Sequence, residues 1–110
     1  TIILTSDHGS LEVQKPAIVS ADKHSSDGIR YKFGRNINLE KKYALDIRDL
    51  TGYRLPSLDY QCNYLIAKNN YFFVYPNEKN KYAIKLNNSF QSGGISMQEM
   101  LVPIYIMNSK

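Results

Sequence analysis

The chain has 110 residues, of which 43% are hydrophobic and 22% are charged, and its formal net charge is +4. This length allows one ordinary domain, and the composition is typical of a folded chain and excludes global disorder. The sequence has no apolar run near the roughly 18 residues that a membrane helix needs, and its single cysteine, Cys62, excludes an internal disulfide. We therefore expect a cytoplasmic protein with no membrane partner.

Two continuous apolar runs lie near the two ends of the chain, at residues 1–5 and at Ile104–Met107. Continuous runs, as opposed to alternation, predict strands that are buried on both faces of an α/β sheet. Polar residues follow the first run directly, at the edge of the sheet where ligands usually bind. The sequence therefore predicts two core strands and a candidate site after the first of them.

Between these strands we predict a smaller β-rich lobe over residues 29–86. Residues 29–33 alternate apolar and basic side chains, which predicts a half-exposed strand with its cations facing solvent. Residues 63–67 and 71–75 predict a hairpin, because the asparagines between them tolerate the left-handed backbone of a tight turn. Residues 82–86 are expected to extend this sheet as the third strand of a meander.

The remaining elements are short. Residues 11–19 predict two extended segments separated by Lys15 and Pro16, and a proline at this point favours an edge or an irregular connection over a central strand. Residues 43–47 predict another strand, and residues 48–56 predict a loop.

A short helix is predicted near the end of the chain. Ser96 and Glu99 have the spacing of a capping box, in which each side chain satisfies a backbone N–H of the other residue. Pro103 cannot continue a helix, so the helix should end before it.

Asp7 and His8 stand next to each other after the first predicted strand. A carboxylate oxygen and an imidazole nitrogen together suit zinc or manganese. Neighbouring side chains on a strand point to opposite faces, so both can reach one ion only if the backbone turns, which Gly9 permits. The pair is a candidate metal site, and an ordinary surface pair is the alternative.

The net positive charge is concentrated in residues 30–42, which carry five cations and one carboxylate. Such a patch suits a phosphorylated or nucleic-acid partner. A simple solvated surface is the alternative, because most charge runs are solvated faces.

Two motifs occur in order near the ends of the chain, TSDHGS at residues 5–10 and GGISMQEMLVP at residues 93–103. Together they resemble the C-terminal part of PglZ domains in the alkaline phosphatase superfamily. The similarity continues through residues 21–23, 30–36 and 72–76. In particular, the chain looks like the PglZ output domain that is joined to a response-regulator receiver in Bacteroidetes.

This resemblance implies a fold and a chemistry. The fold would be the C-terminal portion of an alkaline-phosphatase-like α/β sandwich with a β-rich insert lobe. The chemistry would be that of a phosphatase or phosphodiesterase with two divalent metals, usually zinc, and a Thr or Ser nucleophile. Asp7 and His8 match the paired ligands of one metal. Ser92 stands where the family usually has a histidine that ligates the second metal, so the second site would be lost.

Arg30, Lys32 and Arg35 are the candidate phosphate contacts in this interpretation. The family's nucleophile and its other metal ligands lie upstream of the motif at residues 5–10. Residues 1–110 are therefore expected to form one partial PglZ domain that is inactive alone. The expected partners are the upstream half of the same domain, a receiver domain, and a second copy bound through an exposed sheet edge. The alternative is a non-catalytic regulatory module of the same fold that binds phosphorylated or nucleic-acid ligands.

Overall fold

The computed structural model describes residues 1–22, 24–57 and 61–109. These residues contain short strands and two α-helices, which are joined by turns and loops. The strands are β1 Ile2–Thr5, β2 Leu11–Val13, β3 Lys15–Ile18, β4 Tyr31–Arg35, β5 Ala44–Ile47, β6 Cys62–Ala67, β7 Tyr71–Val74, β8 Ser89–Gln91 and β9 Ile104–Met107. The helices are α1 Lys79–Leu86, which follows a 3-10 turn at Pro76–Glu78, and α2 Met97–Met100. This mixture belongs to the predicted α/β class. No helix within these described ranges has the length and apolar character that crossing a membrane requires.

The strands β2 to β8 and helix α1 form what we call the body. Strands β4, β6 and β5 make an antiparallel sheet, β3 pairs in parallel with β7, and β2 pairs in antiparallel fashion with β8. Strand β3 lies at the edge of its two-stranded sheet, as Pro16 predicted, but it includes Lys15 and Pro16, so the predicted separation of two extended segments at these residues is wrong. The main core lies between these sheets and consists of Ala17, Val19, Ile37, Ala44, Leu65, Ala67 and Phe73.

The predicted hairpin between β6 and β7 is wrong, although its turn is right. Asn69 adopts a left-handed backbone with a φ of 46°. Strand β6 nevertheless pairs with β4 and β5, whereas β7 pairs with β3. The reason is that β7 buries both of its faces, with Phe73 in the main core and Phe72 and Val74 in a second cluster with Val13. This two-sided burial places β7 between two apolar clusters.

Residues 82–86 form a helix, so the predicted third strand of the meander is also wrong. An alternating pattern would place Tyr82, Ile84 and Leu86 on one face. In α1, Tyr82 and Leu86 instead pack against the second cluster from positions i and i+4, while Ile84 is 82% exposed. Pro76 fits the 3-10 turn before α1, because its missing N–H would have no partner in a first turn.

Strands β1 and β9 form a separate two-stranded antiparallel sheet, which we call the ribbon. Both strands were predicted, and Ile3 pairs with Ile106 in their register. Their predicted burial is wrong for this chain, because Ile3 is 64% and Ile106 is 63% exposed. A strand becomes core only when a second layer covers its face. Within the described residues no such layer covers the ribbon.

Candidate functional site

Asp7 and His8 lie in an exposed loop between β1 and β2. The Nδ1 of His8 is 2.8 Å from the backbone oxygen of Gly9, and it donates this hydrogen bond because a carbonyl can only accept. The other ring nitrogen, Nε2, is therefore the lone-pair nitrogen of the neutral ring, and it lies 3.7 Å from Oδ1 of Asp7. Two ligand atoms of one tetrahedral zinc ion lie about 3.4 Å apart at bond lengths of about 2.1 Å. The loop thus brings the two predicted ligands close enough to share one ion.

Gly9 connects this loop to helix α2. Its N–H donates a hydrogen bond to the backbone oxygen of Glu99 at 3.3 Å. A Cβ atom at Gly9 would lie 2.0 Å from the backbone oxygen of Gln98 and 2.8 Å from that of Leu101. Glycine is therefore required here because the last carbonyl groups of α2 approach the loop closely.

Helix α2 begins at the predicted capping box. The N–H of Glu99 donates to Oγ of Ser96 at 3.3 Å, and the N–H of Ser96 donates to the Glu99 carboxylate at 3.2 Å. The same carboxylate accepts two further hydrogen bonds, from the Ser96 hydroxyl at 2.7 Å and from the Gly94 N–H at 3.0 Å. The capping box is confirmed, and Glu99 also holds the turn that precedes the helix.

Glu99 also forms a buried ion pair with Arg30. The Nε and Nη2 atoms of Arg30 donate to the two carboxylate oxygens of Glu99, each at 2.8 Å, and its Nη1 donates to the backbone oxygen of Tyr71. The two side chains are 0% and 1% exposed. Sequence reasoning missed this pair, because no local pattern connects two residues that are 69 positions apart.

The environment of Glu99 keeps its carboxylate ionised. Burial raises the pKa of Glu99, but the hydrogen bonds from Arg30 and Ser96 outweigh this effect and lower the pKa to about 2. The carboxylate therefore carries its charge, and accepts its hydrogen bonds, throughout the neutral range.

The Gly-Gly turn before α2 needs glycine for two different reasons. Gly93 has a φ of +101°, in the left-handed region that side chains rarely adopt. A Cβ atom at Gly94 would lie 2.4 Å from a carboxylate oxygen of Glu99 and 2.8 Å from Nη2 of Arg30. The turn is shaped around the ion pair.

The predicted orientation of the basic strand is wrong. The strand begins two residues later than predicted, and Lys32 is only 2% exposed, whereas Tyr31 faces outward. The ammonium group of Lys32 donates to the backbone oxygen of Ser26 and to the hydroxyl of Tyr75, each at 3.1 Å, and lies 4.4 Å from the centre of the Tyr75 ring. The inner face supplies these acceptors, so the cation turns inward while its aliphatic stem packs in the core.

The three predicted phosphate contacts therefore lie in different surroundings. Arg30 and Lys32 are buried and donate to protein acceptors, and Arg35 lies exposed at the end of β4. A role of these residues in binding phosphate stays a prediction.

Ser92 lies on the same side of the molecule as the Asp7–His8 loop. Strand β2 pairs with β8 so that Leu11 is opposite Gln91, and the next residues in this direction are Ser10 and Ser92. Ser92 is exposed. The register thus brings the position of the predicted lost ligand near the residues that follow His8, although its role stays a prediction.

One protein family accounts for nearly all of the residues that the structure describes. A family model described as the BREX system PglZ alkaline phosphatase-like domain matches residues 1–107. The chain belongs to the PglZ family. This confirms the resemblance that the two terminal motifs indicated. A search of curated proteins found no significant match.

PglZ membership agrees with a divalent metal, since alkaline-phosphatase-like families generally use such ions. Asp7 and His8 fit one, because their oxygen and nitrogen donors suit zinc and a backbone carbonyl fixes the histidine tautomer, as is usual for metal ligands. In the part of the PglZ chain that the structure describes, no group of three or more His, Cys, Asp and Glu side chains is arranged to hold a metal. The two predicted ligands are thus fewer than the three or four that a zinc ion takes, and their role as ligands stays a prediction.

Proposed function

We propose that this chain is the C-terminal part of a PglZ phosphatase or phosphodiesterase, in which Asp7 and His8 hold one divalent ion. The observation that carries this proposal is the 3.7 Å separation between Nε2 of His8 and Oδ1 of Asp7, with Nδ1 of His8 engaged by the Gly9 carbonyl. A bound zinc ion would stabilise negative charge on the oxygens of a phosphoryl group. The protein's own contribution is to orient the imidazole and to place the carboxylate beside it.

The upstream half of the same domain would supply the nucleophile and the remaining ligands, and it would complete the α/β sandwich over the ribbon. The exposed apolar side chains of β1 and β9 support this proposal, because they form an uncovered patch, and such patches mark interaction sites. We also propose a signalling context, in which a receiver domain precedes the PglZ domain. That proposal depends on the resemblance to response-regulator output domains.

Among the three predicted phosphate contacts, Arg35 is the best candidate. Arg30 and Lys32 are buried, so a phosphate at the surface cannot reach them. Arg35 is exposed at the end of β4. An Arg35→Met variant should therefore weaken substrate binding.

A non-catalytic regulatory module of the same fold is the second candidate function. It is favoured by Ser92, because a neutral serine hydroxyl is a far poorer zinc ligand than imidazole. Such a module would keep the phosphate-recognising surface without turning over a substrate.

One experiment separates the two functions. The upstream half of a PglZ domain is joined to this chain, and zinc content is measured together with hydrolysis of a nitrophenyl phosphate ester. Bound zinc with turnover that His8→Ala abolishes would establish the phosphoesterase. The matched control is His24→Ala, which changes the other histidine, also exposed, and should leave turnover intact.

The stoichiometry tests the role of Ser92 in the same samples. One zinc ion per chain, rising to two in Ser92→His, is expected if this position has lost the second metal ligand. No bound zinc at saturating concentration would reject the metal site, and zinc without turnover would favour the regulatory module.

A further inference from the structure

Glu99 holds two separate segments at the proposed metal centre. Its carboxylate accepts hydrogen bonds from the backbone of Gly94 and Ser96, in the turn that follows position 92. Its backbone oxygen accepts the N–H of Gly9, directly after His8. One residue therefore connects the loop of the proposed ligands with the turn beside Ser92.

Arg30 in turn fixes Glu99 to the body. Its guanidinium contacts both carboxylate oxygens and the backbone oxygen of Tyr71 in β7. A bidentate contact between two planar groups fixes the orientation of the carboxylate as well as its position. Gly94 has no room for a Cβ atom beside this pair, so the backbone of the turn packs directly against it.

We propose that the Arg30–Glu99 pair positions the Asp7–His8 loop and the turn at residues 92–94 relative to each other and to the body. If the proposed function is right, the pair also preorganises the metal ligands, and this part of the inference rests on that function. Arg30 and Glu99 are positioning residues, and neither touches the ion.

Stability alone does not account for a pair of this kind. Burying two charges removes them from water, and apolar residues of similar size often give equal or greater stability. What apolar residues lack is directionality, because they cannot accept the N–H groups of Gly94 and Ser96 in one fixed arrangement. The pair therefore provides a defined geometry.

The decisive variant is Arg30→Met/Glu99→Gln in this chain. It leaves no buried charge without a partner, and glutamine can still form the capping box with Ser96. If the pair contributes only to stability, this variant should match the wild type in amide exchange at Gly9 and in its affinity for Co²⁺. Arg30→Lys is the conservative variant, which keeps the charge but loses the bidentate contact. Arg48→Met is the matched control, since it removes an exposed arginine whose Nε lies 2.7 Å from Asp46.

Two measurements on the metal-free and Co²⁺-loaded chain report on positioning. The first is amide hydrogen exchange at Gly9, whose N–H Glu99 accepts, compared with Val19, whose N–H donates to Val74 in the core. We expect exchange at Gly9 to be about 10-fold faster or more in the double variant and in Arg30→Lys, with Val19 unchanged. The second is the Kd for Co²⁺, followed through the NMR signals of the His8 ring. We expect it to rise by about 10-fold or more in both variants.

The outcomes distinguish this inference from the proposed function. Exchange at Gly9 and Co²⁺ binding that match the wild type in the double variant would overturn the positioning role. If His8→Ala binds Co²⁺ as the wild type does, the proposed metal site is wrong, and the exchange measurement still decides whether the pair positions the loop. A change in Arg48→Met equal to that in the double variant would also overturn the inference, because any lost ion pair would then have the same effect.

Discussion

The body and the ribbon both contain apolar strands, yet only the body is buried. In the body, Leu65 and Phe72 have almost no exposed surface, whereas Ile3 and Ile106 in the ribbon remain about two-thirds exposed. The difference is the presence of a second layer. In the body, β7 has an apolar cluster on each side, whereas among the described strands each ribbon strand pairs only with the other. An apolar run therefore predicts a strand, while burial depends on what else packs there.

Helix α2 also carries exposed apolar side chains. Met97 and Met100 in α2, and Leu101 directly after it, are all exposed. Helix α2 is held to the body through polar contacts, chiefly those between Glu99 and Arg30.

A leucine-to-alanine substitution should lower the free energy of unfolding far more in the body than in the ribbon, and this is the largest contrast that we expect. Leu65→Ala in the body should lower the free energy of unfolding by about 2 to 5 kcal/mol, because a buried leucine leaves a cavity. Leu4→Ala in the ribbon should lower it by less than about 1 kcal/mol, because Leu4 is already 58% exposed. Urea unfolding followed by circular dichroism measures both. Equal losses would show that the ribbon is packed in solution.

Acid should weaken the contact between Glu99 and Arg30, which holds helix α2 to the body. The pKa of Glu99 is about 2 in the folded chain and 4.5 in its ordinary state, so the folded state favours the ionised form. This stabilisation is complete above about pH 4.5 and is lost as the pH falls towards 2, and its full size is about 3 kcal/mol. Unfolding free energies measured between pH 6 and pH 2 should show this loss. Glu99→Gln should remove that part of the pH dependence, and an unchanged profile would contradict the assignment.

Self-association tests whether the ribbon is an open surface. We expect the chain to associate with increasing concentration through the ribbon, because open apolar sheet edges pair readily. Ile106→Lys should raise the dissociation constant by about 10-fold or more, since a charge would be buried in the contact. Ile84→Lys is the control, because Ile84 is an isolated exposed residue on α1. If both variants change the sedimentation equally, the contact lies outside the ribbon.

Substitutions of the proposed metal ligands should have the smallest effect on the free energy of unfolding. Asp7→Ala and His8→Ala should each change the free energy of unfolding by less than about 0.5 kcal/mol, because both side chains are exposed. Added zinc should stabilise the chain little, since two ligands bind an ion weakly. Thermal unfolding with and without zinc checks this. Submicromolar binding would show that the chain assembles a complete site, for example across two copies.

The sequence by itself determined several local elements and the family. Apolar runs predicted β1 and β9, Ser96 and Glu99 predicted the start of α2, and the motifs at residues 5–10 and 93–103 indicated a PglZ domain. These features depend on neighbouring residues, whose side chains interact within one turn or one strand, so a linear pattern records them.

Only the tertiary structure decided which elements meet. It placed β6 and β7 in different sheets, turned residues 82–86 into a helix, and left the ribbon open. It also turned Lys32 inward and joined Arg30 to Glu99 across 69 positions. The physical reason is that a buried cation takes its orientation from acceptors that other elements supply. The alternation in residues 29–33 could therefore predict a strand, but it contained no information about the carboxylate and the tyrosine hydroxyl on its inner side.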